Sequence, residues 1–237
     1  WITGRRVIVG TVLVLVWLCS CSRDEPIDRL QALDDHMLSL VVRGEFTAAV
    51  DSAEVGVKLA KDEYGPIHAM TAIQLNKLAW IYKEAGDTVV AESLFVRAIS
   101  IGEPWKDHIP ERLSDMWFNL SGIYMAQQRN MGADSALTHS LKLRRRAYPD
   151  TSRDVALCEY NLGVVNRRLG REIEASAFYA SALETVRDNY SSDSSFLADA
   201  MARVAVSLVY ERRYAEAESM LRKSLEIDER FFGRSHT

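Results

Sequence analysis

The chain has 237 residues, 48% of them apolar and 26% charged, which is enough for a sizeable core and too apolar for a disordered chain. Its formal charge of −4 argues against nucleic acid as a partner, since that role needs clustered Lys and Arg. Length alone leaves one or two domains open.

The first twenty residues differ from the rest. Arg5-Arg6 precede an apolar run from Val7 to Leu18, followed by Cys19-Ser20-Cys21-Ser22. A basic start, a short apolar core and a small-residue cleavage region describe a secretory signal over residues 1–20. The run falls short of the ~20 apolar residues that span a bilayer. Leu18-Cys19-Ser20-Cys21 resembles the bacterial lipobox, which implies Cys21 as the lipid-bearing first residue of the mature chain. Ser22 after it, rather than Asp, implies the outer membrane of a Gram-negative cell. A plain membrane anchor, or part of a longer transmembrane segment, is the alternative. Residues 21–26 then form a short linker. Removing residues 1–20 takes Arg5 and Arg6 and no acid, so 27 of the 29 basic residues remain against 33 acidic ones, net −6. With Cys21 lipidated, only Cys158 is left and no disulfide framework is possible. Nothing beside Cys158 suggests an activated thiol.

Residues 27–237 read as five copies of one 42-residue unit. The clearest copy, Leu75 to Ile101, predicts two amphipathic helices joined at Gly86-Asp87. Stepping one unit at a time from Ala91, in either direction, lands on Ala49, Ala133, Ala175 and Ala217. A second small column runs Gly56, Ala98, Ser140, Ala182 and Ser224, and a first-helix column runs Ala79, Ser121, Gly163 and Ala205, with Met37 departing in the first copy. One residue earlier stand Leu78, Leu120, Leu162 and Val204, with His36 departing. The turn column holds Gly44, Gly86, Gln128, Gly170 and Arg212, and an aromatic column between copies holds Tyr64, Tyr148, Tyr190 and Phe232. Two antiparallel helices need small side chains where their axes come closest and large apolar ones around that point. Proline inside a helix costs ~3 kcal/mol, and Pro26, Pro66, Pro104, Pro110 and Pro149 all fall at the joints. The first copy departs as a terminal repeat would. The last carries Met220, Leu221 and Leu225 with no following polar helix, while Gly233-Arg234-Ser235-His236 repeats the joint Gly65-Pro66-Ile67-His68. The expectation is an array incomplete at its C-terminus, or one whose open end serves in self-association.

Chemistry-bearing patterns are sparse. His36, His68, His108, His139 and His236 pair with no other His or Cys at metal-ligand spacing. No phosphate loop, nucleophile elbow or kinase signature occurs. No cofactor, no metal and no catalytic residue are expected.

A small residue in the first helix and two more at fixed offsets in the second, as in Ala79, Ala91 and Ala98, is the spacing of the tetratricopeptide repeat. The chain resembles that family across its mature length. The 42-residue period, with Asn76-Lys77-Leu78-Ala79 and Tyr82, Asn119-Leu120-Ser121 and Tyr124, Ala91-Glu92-Ser93-Leu94 and Ala217-Glu218-Ser219-Met220, is similar to the kinesin-light-chain-type subgroup. The resemblance implies an all-α fold, a right-handed superhelix of five helix-turn-helix repeats, whose first helices line a concave groove for a polypeptide. The column Asp35, Lys77, Asn119, Asn161 and Arg203 occupies the place of that subgroup's asparagine ladder, which holds a peptide backbone. Asn119 and Asn161 fit the ladder; Lys77 and Arg203 depart from it and would select acidic side chains or a carboxylate. An amide can pair with both N–H and C=O, whereas Asn is a mediocre mid-helix residue, so its recurrence asks for a reason. Inheritance from a duplicated unit is the competing reason. Trp80, with Val164 and Val206, would project near the same face unless it belongs to the core, and Lys83, Arg167 and Arg168 would add positive charge. The chain is thus expected to be an exported, lipid-anchored, non-catalytic scaffold. The alternatives are the sensing region of a larger enzyme, such as a caspase-like protease or a kinase, and a self-assembling structural scaffold.

Overall fold

The computed structural model describes residues 26–150, 152–189, 195–210 and 212–232. Residues 1–20, expected from the sequence to be a signal, with Cys21, Tyr190 and the segment 233–236, lie outside the described residues. Ten α-helices follow in order: α1 (Pro26–Val42), α2 (Phe46–Tyr64), α3 (Ala69–Glu84), α4 (Thr88–Gly102), α5 (Pro110–Ala126), α6 (Asn130–Ala147), α7 (Arg153–Arg168), α8 (Glu172–Asn189), α9 (Ser195–Tyr210) and α10 (Tyr214–Phe232). They form five hairpins, and no strand occurs among the described residues. A short 3₁₀ turn, Glu103–Trp105, extends the joint after α4. No helix of the described residues is long and apolar enough to cross a membrane. The chain divides into two compact units, 1–112 and 113–237. The first holds α1–α4; the second holds α6–α10 and all but the first residues of α5.

One turn closes all five hairpins. Gly44, Gly86, Gln128, Gly170 and Arg212 each adopt the left-handed conformation, with φ between 58° and 90°. Each time, the next residue's N–H donates to the carbonyl five positions before it: Glu45 to Leu40, Asp87 to Tyr82, Arg129 to Tyr124, Arg171 to Asn166 and Arg213 to Leu208, at 2.8–2.9 Å. This six-to-one bond ends the first helix and satisfies one of its orphan carbonyls. Glycine serves three of the five positions without penalty. Gln128 and Arg212 carry a side-chain cost of about 1–2 kcal/mol for that conformation.

The alanine column sits at the contact between each hairpin's helices. Ala49, Ala91, Ala133, Ala175 and Ala217 are all buried, the first three completely. In the late second-helix column, serine replaces alanine twice, and each hydroxyl is satisfied in the same way. Ser140 Oγ donates to the Ser114 carbonyl at 2.9 Å and Ser224 Oγ to the Ala198 carbonyl at 2.7 Å. An unpaired hydroxyl there would cost about 1–3 kcal/mol.

Volume is balanced across the same contact. In the second unit Tyr179 is fully buried on α8 and fills the space that Gly163 leaves on α7; a Cβ on Gly163 would meet Tyr179 Cε1 at 2.6 Å. The Tyr179 column elsewhere holds Ala53, Phe95 and Leu137, all buried, whereas Leu221 on α10 is 45% exposed. Leu225 is likewise 47% exposed, against 5–7% for Val57, Ile99 and Leu141 in its column. The terminal face therefore keeps its apolar pattern without the packing that pattern serves elsewhere.

Gly163→Ala is predicted to destabilise the protein by ~1–3 kcal/mol through overpacking against Tyr179, even though alanine is the better helix former. Urea unfolding measures this. Stability at or above the parent's would mean that Tyr179 moves aside at little cost.

Candidate functional site

The residues singled out from the sequence lie on the first helices, and each unit presents its own share. In the first unit, Lys77 on α3 reaches back to α1 and pairs with Asp34; both are partly buried. Gln74 joins them when its amide nitrogen faces Asp34 Oδ1 and its oxygen faces Lys77 Nζ, each at 3.3 Å. Trp80 is half-buried one turn further along α3. Lys83 pairs with the neighbouring Glu84 at 3.2 Å.

In the second unit, Arg203 on α9 makes the corresponding contact to α7. Its Nε donates to Tyr160 Oη at 3.1 Å and approaches Asp199 Oδ1 at 3.4 Å, while the Tyr160 hydroxyl donates to Asp199. Burial, followed by the hydrogen bond to Asp199, pushes the Tyr160 phenol up to about 12, so it stays protonated as a donor. Lys77 and Arg203 thus use one device in their separate units. Each cation reaches a partner one position beyond a full repeat before it, on the preceding first helix, and fastens the two helices together. At the corresponding position before Asn161 stands Phe118, which offers no acceptor. Asn161 Nδ2 instead donates to its own helix at the Leu157 carbonyl, 2.9 Å away. Asn119 is half-buried and its side-chain amide forms no hydrogen bond among the described residues.

The surrounding residues follow the same division. Val164 is packed against the core cluster of Ala156, Tyr160, Tyr179 and Leu197, whereas Val206 is exposed. Arg167 is half-buried, and Arg168 donates to the Met125 carbonyl at 3.1 Å. Sequence reading grouped Lys77 and Arg203 with the asparagines and missed their partners Asp34 and Tyr160. The signal was present: a first-helix position meets its lateral neighbour one place past the repeat period, not at the period itself.

Among the described residues no group of three His, Cys, Asp or Glu side chains is arranged to hold a metal. His68 opens α3: its Nδ1 accepts from the Met70 N–H at 3.1 Å. His139 stacks on Trp117 at 4.6 Å. Cys158 is completely buried, and its thiol donates to the Leu137 carbonyl at 3.3 Å. Burial pushes that thiol up to about 11, although Arg144 pulls the other way.

Comparison with known proteins agrees with this architecture. Residues 112–188 and 197–237 match two profiles of the tetratricopeptide repeat. No curated protein sequence matches the chain. Among solved structures, BtubC (BKLC) from P. vanneervenii superimposes with a TM-score of 0.78 at 16% identity, covering 94% of this chain and 90% of that one. A Podosopora anserina protein with nearly identical TPR-like repeats of kinesin light chain type gives 0.71 at 15% identity, covering 87% and 98%. A Rap protein solved in complex with the competence and sporulation factor gives 0.58 at 17% identity, covering 81% and 52%.

The Cys158 environment sets a pH dependence. A thiol whose folded value is raised favours the native state at all pH below the unfolded thiol's range. That contribution is lost as pH climbs toward 11. Native protein exposed to iodoacetamide at pH 8 is predicted to leave Cys158 unmodified, with rapid alkylation in urea, as read by peptide mass. Native alkylation at the rate seen in urea would contradict the burial.

Proposed function

We propose that this array of tetratricopeptide repeats is a non-catalytic scaffold that binds a partner polypeptide along its first-helix face, and that a lipid on Cys21 holds it at the cell envelope. The observation that carries the first part is the state of the two asparagines. They stand mid-helix, where asparagine is a poor choice, and packing does not consume them. The Asn119 side-chain amide has no partner among the described residues, and Asn161 has committed one N–H to Leu157. An extended peptide could donate backbone N–H groups to their amide oxygens and accept from the remaining amide N–H. Such bonds are indifferent to side-chain identity, so sequence preference must come from neighbours. In the second unit Arg203 would supply it for an acidic residue or a terminal carboxylate, exchanging Asp199 for a ligand carboxylate; in the first unit Lys77, exchanging Asp34, and the apolar Trp80 would offer the corresponding contacts. The Rap complex supports the reading that arrays of this fold can hold a ligand.

The envelope location is supported by the basic–apolar–cysteine order of residues 5–21 and by the Ser22 that follows. On this reading the scaffold sits on the outer membrane, or the periplasmic side, of a Gram-negative cell. A second reading draws on Leu221 and Leu225, exposed in columns whose other members are buried or, at Leu183, partly buried. That face would suit a further domain of a larger enzyme, or a second copy of the chain.

The double variant Asn119→Ala with Asn161→Ala is predicted to weaken a peptide recovered by pull-down on the parent protein by about thirtyfold, from ~1 kcal/mol per asparagine's lost hydrogen bond. Unchanged affinity in calorimetry would remove the asparagines from the site. Separately, Cys21→Ser should shift the protein from the membrane to the soluble fraction of its host. Retention in the membrane fraction would favour a spanning anchor instead.

A further inference from the structure

The joint that follows α4 departs from the repeat's sequence pattern, and its departure builds a cleft. Where the repeat's aromatic column would place a ring at 106, the chain has Lys106; Trp105 stands one residue earlier, in the 3₁₀ turn. Its Nε1 donates to the Ile67 carbonyl in the preceding joint at 3.2 Å, which anchors the indole across both joints. Four rings then run in contact. Tyr64 stacks on His68 with centroids 5.2 Å apart; His68 meets Trp105 at 4.6 Å and 62°; Trp105 meets His108 at 6.0 Å and 71°. One pair of rings is nearly parallel and the next two stand steeply to their neighbours, the arrangement of a floor and walls. They border an open cleft of about 640 Å³ within the first unit, lined elsewhere by Ser100, Ile101, Pro104 and Ile67, the last 77% exposed.

We infer that this cleft is a binding site for a free, small-molecule quaternary ammonium group. The lining contains no Lys, Arg, Asp or Glu. A carboxylate-free, largely hydrocarbon lining cannot replace the water around a compact ammonium ion. A methylated ammonium is weakly hydrated, presents C–H surface to Ile67, Ile101 and Pro104, and directs its charge at ring faces, of which Trp and Tyr are the strongest. His68 Nδ1 accepts a hydrogen bond from Met70 N–H at 3.1 Å, which holds that ring in place at the cleft. Directly next to the lining residues in the chain stand Glu63, Glu103 and Asp107 against Lys106 alone, a balance that favours a cation. The cleft lies at the joints, apart from the small-residue columns and the first-helix face, so the site is independent of the peptide-binding proposal.

The test titrates choline, and in parallel its uncharged isostere 3,3-dimethylbutan-1-ol, into the full chain, with binding followed by NMR. Choline is expected to bind roughly tenfold more tightly than the isostere, and Trp105→Leu, which keeps apolar volume but removes the indole face, should abolish the difference. His108→Ala, which removes an exposed wall, should weaken choline several-fold and guards against a misfolded Trp105 variant. Equal binding of the two probes, or no detectable choline binding, would overturn the assignment; the second result would leave peptide binding through Asn119 and Asn161 untouched.

Discussion

The closest approach of the two helices in each hairpin is the constraint on which the rest of the structure depends. Five alanines at one register, all buried, let the backbones come together. Every other choice in the column set answers to that distance. Where Ser140 and Ser224 replace a smaller residue, their hydroxyls bond the carbonyl of the facing helix rather than remaining unpaired. Where Tyr179 brings a ring to the contact, Gly163 gives up its side chain to admit it. The turn is under equal pressure. Only the left-handed residue with its six-to-one bond returns the chain at that separation, and Gln128 and Arg212 adopt it despite the steric cost.

Fixing the helices so closely decides which polar groups remain for function. Within each unit, first helices of successive repeats stand side by side, and a long cation can reach across. Lys77 to Asp34 in one unit, and Arg203 to Tyr160 and Asp199 in the other, are fasteners of this kind. Their charge is partly neutralised before any ligand arrives. Phe118, at the shifted position before Asn161, offers no side-chain acceptor, and Asn161 bonds its own helix at Leu157 instead. Its remaining amide groups keep their hydrogen-bonding capacity.

This explains which features were legible in the sequence. Packing columns recur at a constant period because every hairpin meets the same distance, so the helices, turns and proline joints could be read from spacing alone. Even the left-handed turn column was marked by glycine in three copies of five. The lateral pairs were not legible in that way. They join unlike residues, Asp with Lys and Tyr with Arg, one place past the period, and a search for identity at a fixed period passes over complementarity at a shifted one. Cys158 shows the intermediate case: its helix was evident, but its complete burial and its bond to the Leu137 carbonyl depend on how α7 rests against α6.

The same logic separates structure from specificity within a duplicated chain. A residue repeated in every copy is explained by what every copy must do, and it discriminates no partner. Information about a ligand must lie where copies differ without a packing reason. Asn119 and Asn161 qualify only weakly, since two neighbouring copies share them. The joint around Trp105 qualifies strongly: it has no counterpart at Glu63 or Ala147, it draws in a 3₁₀ turn found at no other joint of the described residues, and it spends a buried-type residue on a half-exposed surface. Burying an indole in a helix contact would yield more from the hydrophobic effect than leaving it across a loop. The hydrogen bond to Ile67 and the two flanking imidazoles hold that ring in a defined orientation at an open cleft. A ring held open by three neighbours is arranged for a fourth contact, one that no described residue provides.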